Sequence, residues 1–126
     1  MSEMSDIDSI FWGTNIAYPI EIKEKTSATD RRMGDWFGLD VGPFVKLAFY
    51  TSLDKAMASL FIVHEIDDTT TRNSVAWHAI TFDQLAKVAS WTQQGGGTSM
   101  GGGQSAVVRI PKSAFSKLDA SFLAAL

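Results

Sequence analysis

The chain has 126 residues, 45% of them hydrophobic and 20% charged, which is material for one packed soluble domain. With no cysteine and two histidines, it excludes disulfides, thiolate metal sites and an all-histidine zinc site; it fits a reducing cytoplasm and leaves any metal to oxygen ligands. A formal net charge of −3 argues against a broadly basic grip on nucleic acid, no apolar run approaches the roughly 20 residues of a membrane span, and the acidic start MSEMSDIDSIFWG lacks the pattern of a secretory leader.

Asp8 to Trp12 reads as a short strand, Gly13-Thr14-Asn15 as a turn and Ile16 to Lys23 as a second strand, so the pair predicts a hairpin. Pro19 suits an edge or an irregular start better than a central ladder position. Thr26 to Asp40 is polar and glycine-punctuated, which predicts a loop with Trp36 and Phe37 tucked into the body. Gly42-Pro43 opens a helix with Phe44, Leu47, Ala48 and Thr51 on one face, ending near Met57. Ser59 to Ile66 is almost continuously apolar, the mark of a strand covered on both faces. A surface turn, Asp67 to Asn73, leads into a strand from Val75 to Ile80. Thr81-Phe82-Asp83-Gln84 resembles a capping box opening a second helix through Trp91. Gly95 to Gly103 reads as a flexible loop, since it lacks the Gly-Lys-Ser/Thr ending of a phosphate-binding loop. Ala106 to Ile110 is a strand stopped by Pro111, and Phe115, Leu118 and Phe122 mark a final helix. The order β-β-α-β-β-α-β-α predicts an α/β (α+β) fold, a mixed central sheet flanked by helices, in a single domain over 1–126.

The chemistry concentrates on the second strand. Residues two apart on a strand share a face, so Glu21, Lys23 and Lys25 point together, while Tyr18, Ile20, Ile22 and Glu24 point the other way toward a core. The hairpin brings Asp8 back toward Glu21. Two carboxylates converging beside a lysine suit a hard cation with a proton-handling neighbour. Such a trio can hydrolyse a phosphodiester: Lys23 either holds or deprotonates the attacking water and offsets phosphate charge. Lys23, Lys25, Arg31 and Arg32 fall within ten positions, a local basic patch on an acidic chain.

Asp8, then Glu21-Ile22-Lys23 after twelve residues, then a helix and a buried strand: in this order, across 6–66, the chain resembles the PD-(D/E)XK nuclease superfamily of restriction endonucleases, Holliday-junction resolvases and RecB-like nucleases. The resemblance implies a restriction-endonuclease-like core that hydrolyses DNA with Mg²⁺, or Mn²⁺ in its place. It implies that Asp8, Glu21 and the main-chain carbonyl of Ile22 hold the metal and that Lys23 is catalytic. Lys46-Leu47-Ala48-Phe49-Tyr50 has the spacing of the Gln-x-x-x-Tyr of RecB-like members, with lysine in the glutamine place. Lys46 and Tyr50 are thus expected on one helix face toward DNA phosphate, together with Lys25, Arg31 and Arg32. Ile7 stands where the family has proline. Asp6 shares the parity of Asp8, and Asp8 is preferred as the residue at the strand start. Family members begin with a helix, whereas five residues precede Asp6; the expectation is a truncated first helix or a partner subunit that completes the domain.

Cutting both strands of a duplex needs two centres, so a homodimer is expected, with the final helix in its interface. Two other readings stand beside this one: a non-catalytic interaction module, such as an immunity or accessory subunit that keeps the nuclease fold, favoured by the short N-terminus and the negative net charge, and an RNA-cleaving toxin that uses the same residues. His64 is expected as a hydrogen-bonded core or edge histidine, with Glu65 at a strand end on the opposite face. His78 has no carboxylate at useful spacing. Arg109 and Lys112 read as solvated surface. Core packing is expected of most of the tryptophans, with Trp36 the one placed to stack on a base.

Overall fold

A computed structural model describes residues 8–95 and 104–126, so Asp6 and all but the first residue of the Gly95–Gly103 run lie outside the described residues. The elements are β1 (Ser9–Trp12), β2 (Ala17–Lys25), β3 (Ala28–Asp30), β4 (Gly34–Asp40), α1 (Val41–Leu53), β5 (Leu60–Ile66), β6 (Ser74–Thr81), α2 (Phe82–Val88), β7 (Ser90–Gly95), β8 (Gln104–Pro111), β9 (Ser116–Lys117) and α3 (Ala120–Ala124), with a 3₁₀ turn at Lys112–Ala114. The fold is mixed α+β, but its strands form two sheets rather than one. A five-stranded sheet has the order β1-β2-β5-β6-β9, and a four-stranded one the order β3-β4-β8-β7. In the first, β2 and β5 are parallel and the other pairs antiparallel; the second is antiparallel throughout.

The expected β1–β2 hairpin forms, with Ser9 opposite Ile20 and Trp12 opposite Ala17. Pro19 is not at an edge, because β2 has neighbours on both sides. It stands between the parallel Ala17–Met57 bridge and the β5 ladder, which opens in the same register at Ile20 opposite Leu60, so the residue with no N–H to give falls in the gap between the two. The stretch expected as a loop before Asp40 is instead the β3–β4 ribbon. Glycines at 34 and 38 and aspartates at 35 and 40 mask a period of two, in which Phe37 and Leu39 are fully buried. Asp30 Oδ1 closes the turn by accepting the N–H groups of Arg32 (2.8 Å) and Met33 (3.0 Å), and Gly34 takes φ +81° there.

Helix α1 stops at Leu53, short of the expected Met57. Asp54 leaves the helix in extended backbone and accepts the Ala56 N–H at 2.8 Å, which turns the chain toward β5. Ser59 ties the two together: its Oγ donates to the Leu47 carbonyl (2.8 Å), and its N–H donates to Thr51 Oγ1 (3.0 Å). Helix α2 has the expected Thr81 cap, but it ends at Val88, and Trp91 belongs to β7, whose ladder with β8 claims Ser90–Gly95. The final helix is shorter than its apolar spacing suggested. Phe115 and Leu118 lie outside it, and Asp119 caps α3 by accepting the Phe122 N–H at 2.9 Å.

β5 is covered on both faces, as expected. Phe61 and Val63 join Phe37, Leu39, Leu47, Ile80, Leu85, Val108 and Ile110 in a core shared by both sheets, α1 and α2. Leu60 and Ile62 face the other way, with Tyr18, Ile20 and Ala79, and are covered by Leu118 and Phe122. Three tryptophans depart from the expected core role: Trp12 is 74% exposed, and Trp77 and Trp91 also face solvent. Among the described residues no helix is long and apolar enough to cross a membrane.

Candidate functional site

Strand register decides which way the charges of β2 point. Glu21 lies opposite Phe61, Lys23 opposite Val63 and Lys25 opposite Glu65. Laterally paired residues share a face, so the charged row looks inward, onto the side of the sheet that carries the shared core and that α1 covers. This corrects the expected division of β2. Tyr18 and Ile20 do build a core, but Ile22 is exposed, and Glu24 lies at the surface paired to Arg72 Nη2 at 2.6 Å.

Glu21 is only 3% exposed. A carboxylate taken from water needs charge and hydrogen bonds around it. Lys23 Nζ lies 3.1 Å from Oε2, and Lys46 Nζ, reaching down from α1, lies 3.3 Å from Oε1. Among the described residues Oε1 nevertheless has no hydrogen-bond partner. Asp8 stands just before β1 and is exposed; continuing the register past Ser9 and Ile20 sets it opposite Glu21. Its Oδ2 accepts the Ile22 N–H at 2.7 Å. A strand residue turns its N–H and C=O to the same edge, so the Ile22 carbonyl faces the side on which Asp8 is anchored.

The donor set suits a hard cation. Among the described residues no group of three or more histidines, cysteines and carboxylates could hold a metal. Mg²⁺ asks for less: one or two carboxylates, with water filling the other positions. Asp8, the under-bonded Oε1 of Glu21 and the Ile22 carbonyl are the oxygens such an ion would use.

Other candidates disperse. Lys25 continues the inward row; burial pushes its ammonium below the ordinary lysine value, Asp40 offsets part of this, and Lys23 adds to it. Tyr50 follows Lys46 by one helical turn and meets Phe49 edge-on at 5.5 Å between ring centres. Arg31 and Arg32 do not join the cluster, because they occupy the β3–β4 turn at the far end of β4 from Asp40. Trp36 has the Arg109 guanidinium 5.5 Å from its ring centre, so one of its faces is occupied from within the chain.

His64 is hydrogen-bonded as expected, to Ser74 Oγ at 2.9 Å, and stacks on Trp77 at 4.1 Å. His78 overturns its expectation, because Glu65 Oε1 lies 2.9 Å from its Nε2. Glu65 is buried and also receives Lys112 Nζ on Oε2 at 2.8 Å, so Lys112 is not free surface. Burial pushes the Glu65 carboxyl up, but the bonds from Lys112 and His78 outweigh it and hold the group below its ordinary value. The sequence did carry one signal of this triad: Glu65 shares strand parity with Phe61 and Val63, and a carboxylate on a buried face must find a partner. The partners themselves, thirteen and forty-seven residues away, carry no such mark.

No protein-family model matches this chain, nor does any curated protein or solved structure.

Proposed function

We propose that this chain is a metal-dependent DNA endonuclease of the PD-(D/E)XK kind, with β1, β2, α1 and β5 as its restriction-endonuclease-like core. The observation that carries the reading is the buried Glu21 carboxylate, held between Lys23 and Lys46, with an oxygen left without a hydrogen bond and Asp8 opposite it across the hairpin. Asp8, Glu21 and the Ile22 carbonyl would hold Mg²⁺ or Mn²⁺. Such an ion, when bound, neutralises charge on the phosphodiester and acidifies a water. Lys23, the more exposed of the two lysines, holds the attacking water and offsets phosphate charge. Lys46 and Tyr50 line the α1 side, and Lys25 extends the positive row along β2. A homodimer supplies the second centre for the other strand.

The test is nicking of supercoiled plasmid with Mg²⁺. Wild type converts it to open circle, EDTA stops the conversion, and Glu21→Ala abolishes it. Lys23→Ala lowers the rate by about 10²–10⁴-fold, the usual range for loss of a proton-handling group. An intact plasmid with wild type under both Mg²⁺ and Mn²⁺ rejects the reading.

One observation favours a second reading. Each Glu21 oxygen already has an ammonium within 3.3 Å, so the cluster also stands as a self-contained structural ion triad. On that basis the domain is a non-catalytic interaction module, and neither DNA nor RNA is cut under any divalent ion.

A further inference from the structure

A hollow of about 730 Å³ opens at the tip of the β3–β4 ribbon, lined by Asp30, Arg31, Arg32, Arg109 and Ser113 among others. Three guanidiniums there face one carboxylate, which is itself committed. Asp30 Oδ1 holds the turn through the N–H groups of Arg32 and Met33, and its Oδ2 takes Arg109 Nη1 at 3.1 Å. That bond and the Trp36 ring fix the Arg109 fork. Arg31 and Arg32 are exposed, and among the described residues their side chains have no ion pair or hydrogen bond. A guanidinium held in place beside two unpaired ones is an arrangement that binds phosphate oxygens.

We propose that this hollow holds a backbone phosphate of the DNA, remote from the one that is cut; the proposal rests on the nuclease reading for its substrate. The seven residues of β4 separate the hollow from Asp40. At about 3.3 Å per residue this is roughly 20 Å. Asp40 in turn lies close enough to Lys25, on the Glu21 row, to act on its charge. For a duplex lying along β4, at about 3.4 Å per base pair, the hollow would engage it about six base pairs beyond the Lys25 end of the cluster. Arg31 and Arg32, which do not reach Glu21, acquire a place on the same substrate.

The test is anisotropy of a fluorescein-labelled 24-base-pair duplex in EDTA over a series of KCl concentrations. The comparison is wild type against the double variant Arg31→Ala/Arg32→Ala and against Arg109→Lys, which keeps a charge for Asp30 but removes the fork. The expected result is weaker binding by both variants, with the slope of log K against log salt shallower by about 1 in the double variant, as for one lost phosphate contact. Melting temperatures matching wild type show that the fold is kept. An unchanged affinity and slope in both variants overturns the proposal, as does a wild type that binds no duplex. If the slopes change as expected while plasmid stays intact with Mg²⁺, the hollow stands and the nuclease reading alone fails.

Discussion

Carboxylates in this chain are set apart by their surroundings. Glu21 and Glu65 are both buried, and each is held by two cationic or histidine partners. Removing either partner leaves charge in a low-dielectric interior, a change that costs about 3–5 kcal/mol when the site is fully enclosed and less here, where the lysines reach solvent. Asp67 is the opposite case, exposed but saturated with donors. The Thr71 hydroxyl bonds to it most strongly, and against a smaller upward push from burial the N–H groups of Asp68 and Asn73 add to it, lowering its carboxyl to about 2. A carboxyl lowered on folding contributes stability above its unfolded value, and that stability is lost as acid protonates it. Unfolding by urea should therefore show wild-type stability falling between about pH 4 and about pH 2. Asp67→Asn should flatten the profile in that window; an identical profile in the variant would show that the Asp67–Asn73 turn does not contribute.

At the scale of elements, the β3–β4 ribbon shows how a strand hides. Its inward residues, Phe37 and Leu39, satisfy the period of two, but the glycines and aspartates between them carry the local signature of a loop. Tertiary pairing with β8, from Trp36 opposite Pro111 to Asp40 opposite Val107, overrides that signature. The ribbon's tight turn depends on Gly34 at φ +81°, where an added Cβ meets nothing within 4 Å. Gly34→Ala is then a test of backbone strain alone. It should destabilise the fold by about 1–2 kcal/mol in chemical denaturation, with no change in the slope against denaturant. The hairpin of β1 and β2, the doubly covered β5 and the cap of α2 were legible because each depends on local pattern. The early ends of α1 and α2 were not, because Asp54 and the β7–β8 ladder stop them from outside the helical period.

For the whole molecule, the candidate site joins three places: the entry to β1, the middle of β2 and the first turns of α1. A cation held as proposed by Asp8, Glu21 and the Ile22 carbonyl would bind the folded chain alone and so stabilise it. At a hundredfold excess over Kd the gain is about 2.7 kcal/mol, read as a rise in Tm of roughly 10 °C. Mg²⁺ should raise the melting temperature of wild type and leave that of Glu21→Gln unmoved; equal shifts in both would place the ion elsewhere. The sequence by itself determined the α+β class, the alternation along β2 and the order Asp8, Glu21, Lys23, since strand parity and a short turn are local properties. Only the tertiary structure decided that this charged row faces inward, that Lys46 completes it, and that Glu65 draws in His78 and Lys112. Parity tells which residues share a face, but which face is buried depends on what the rest of the chain packs against it.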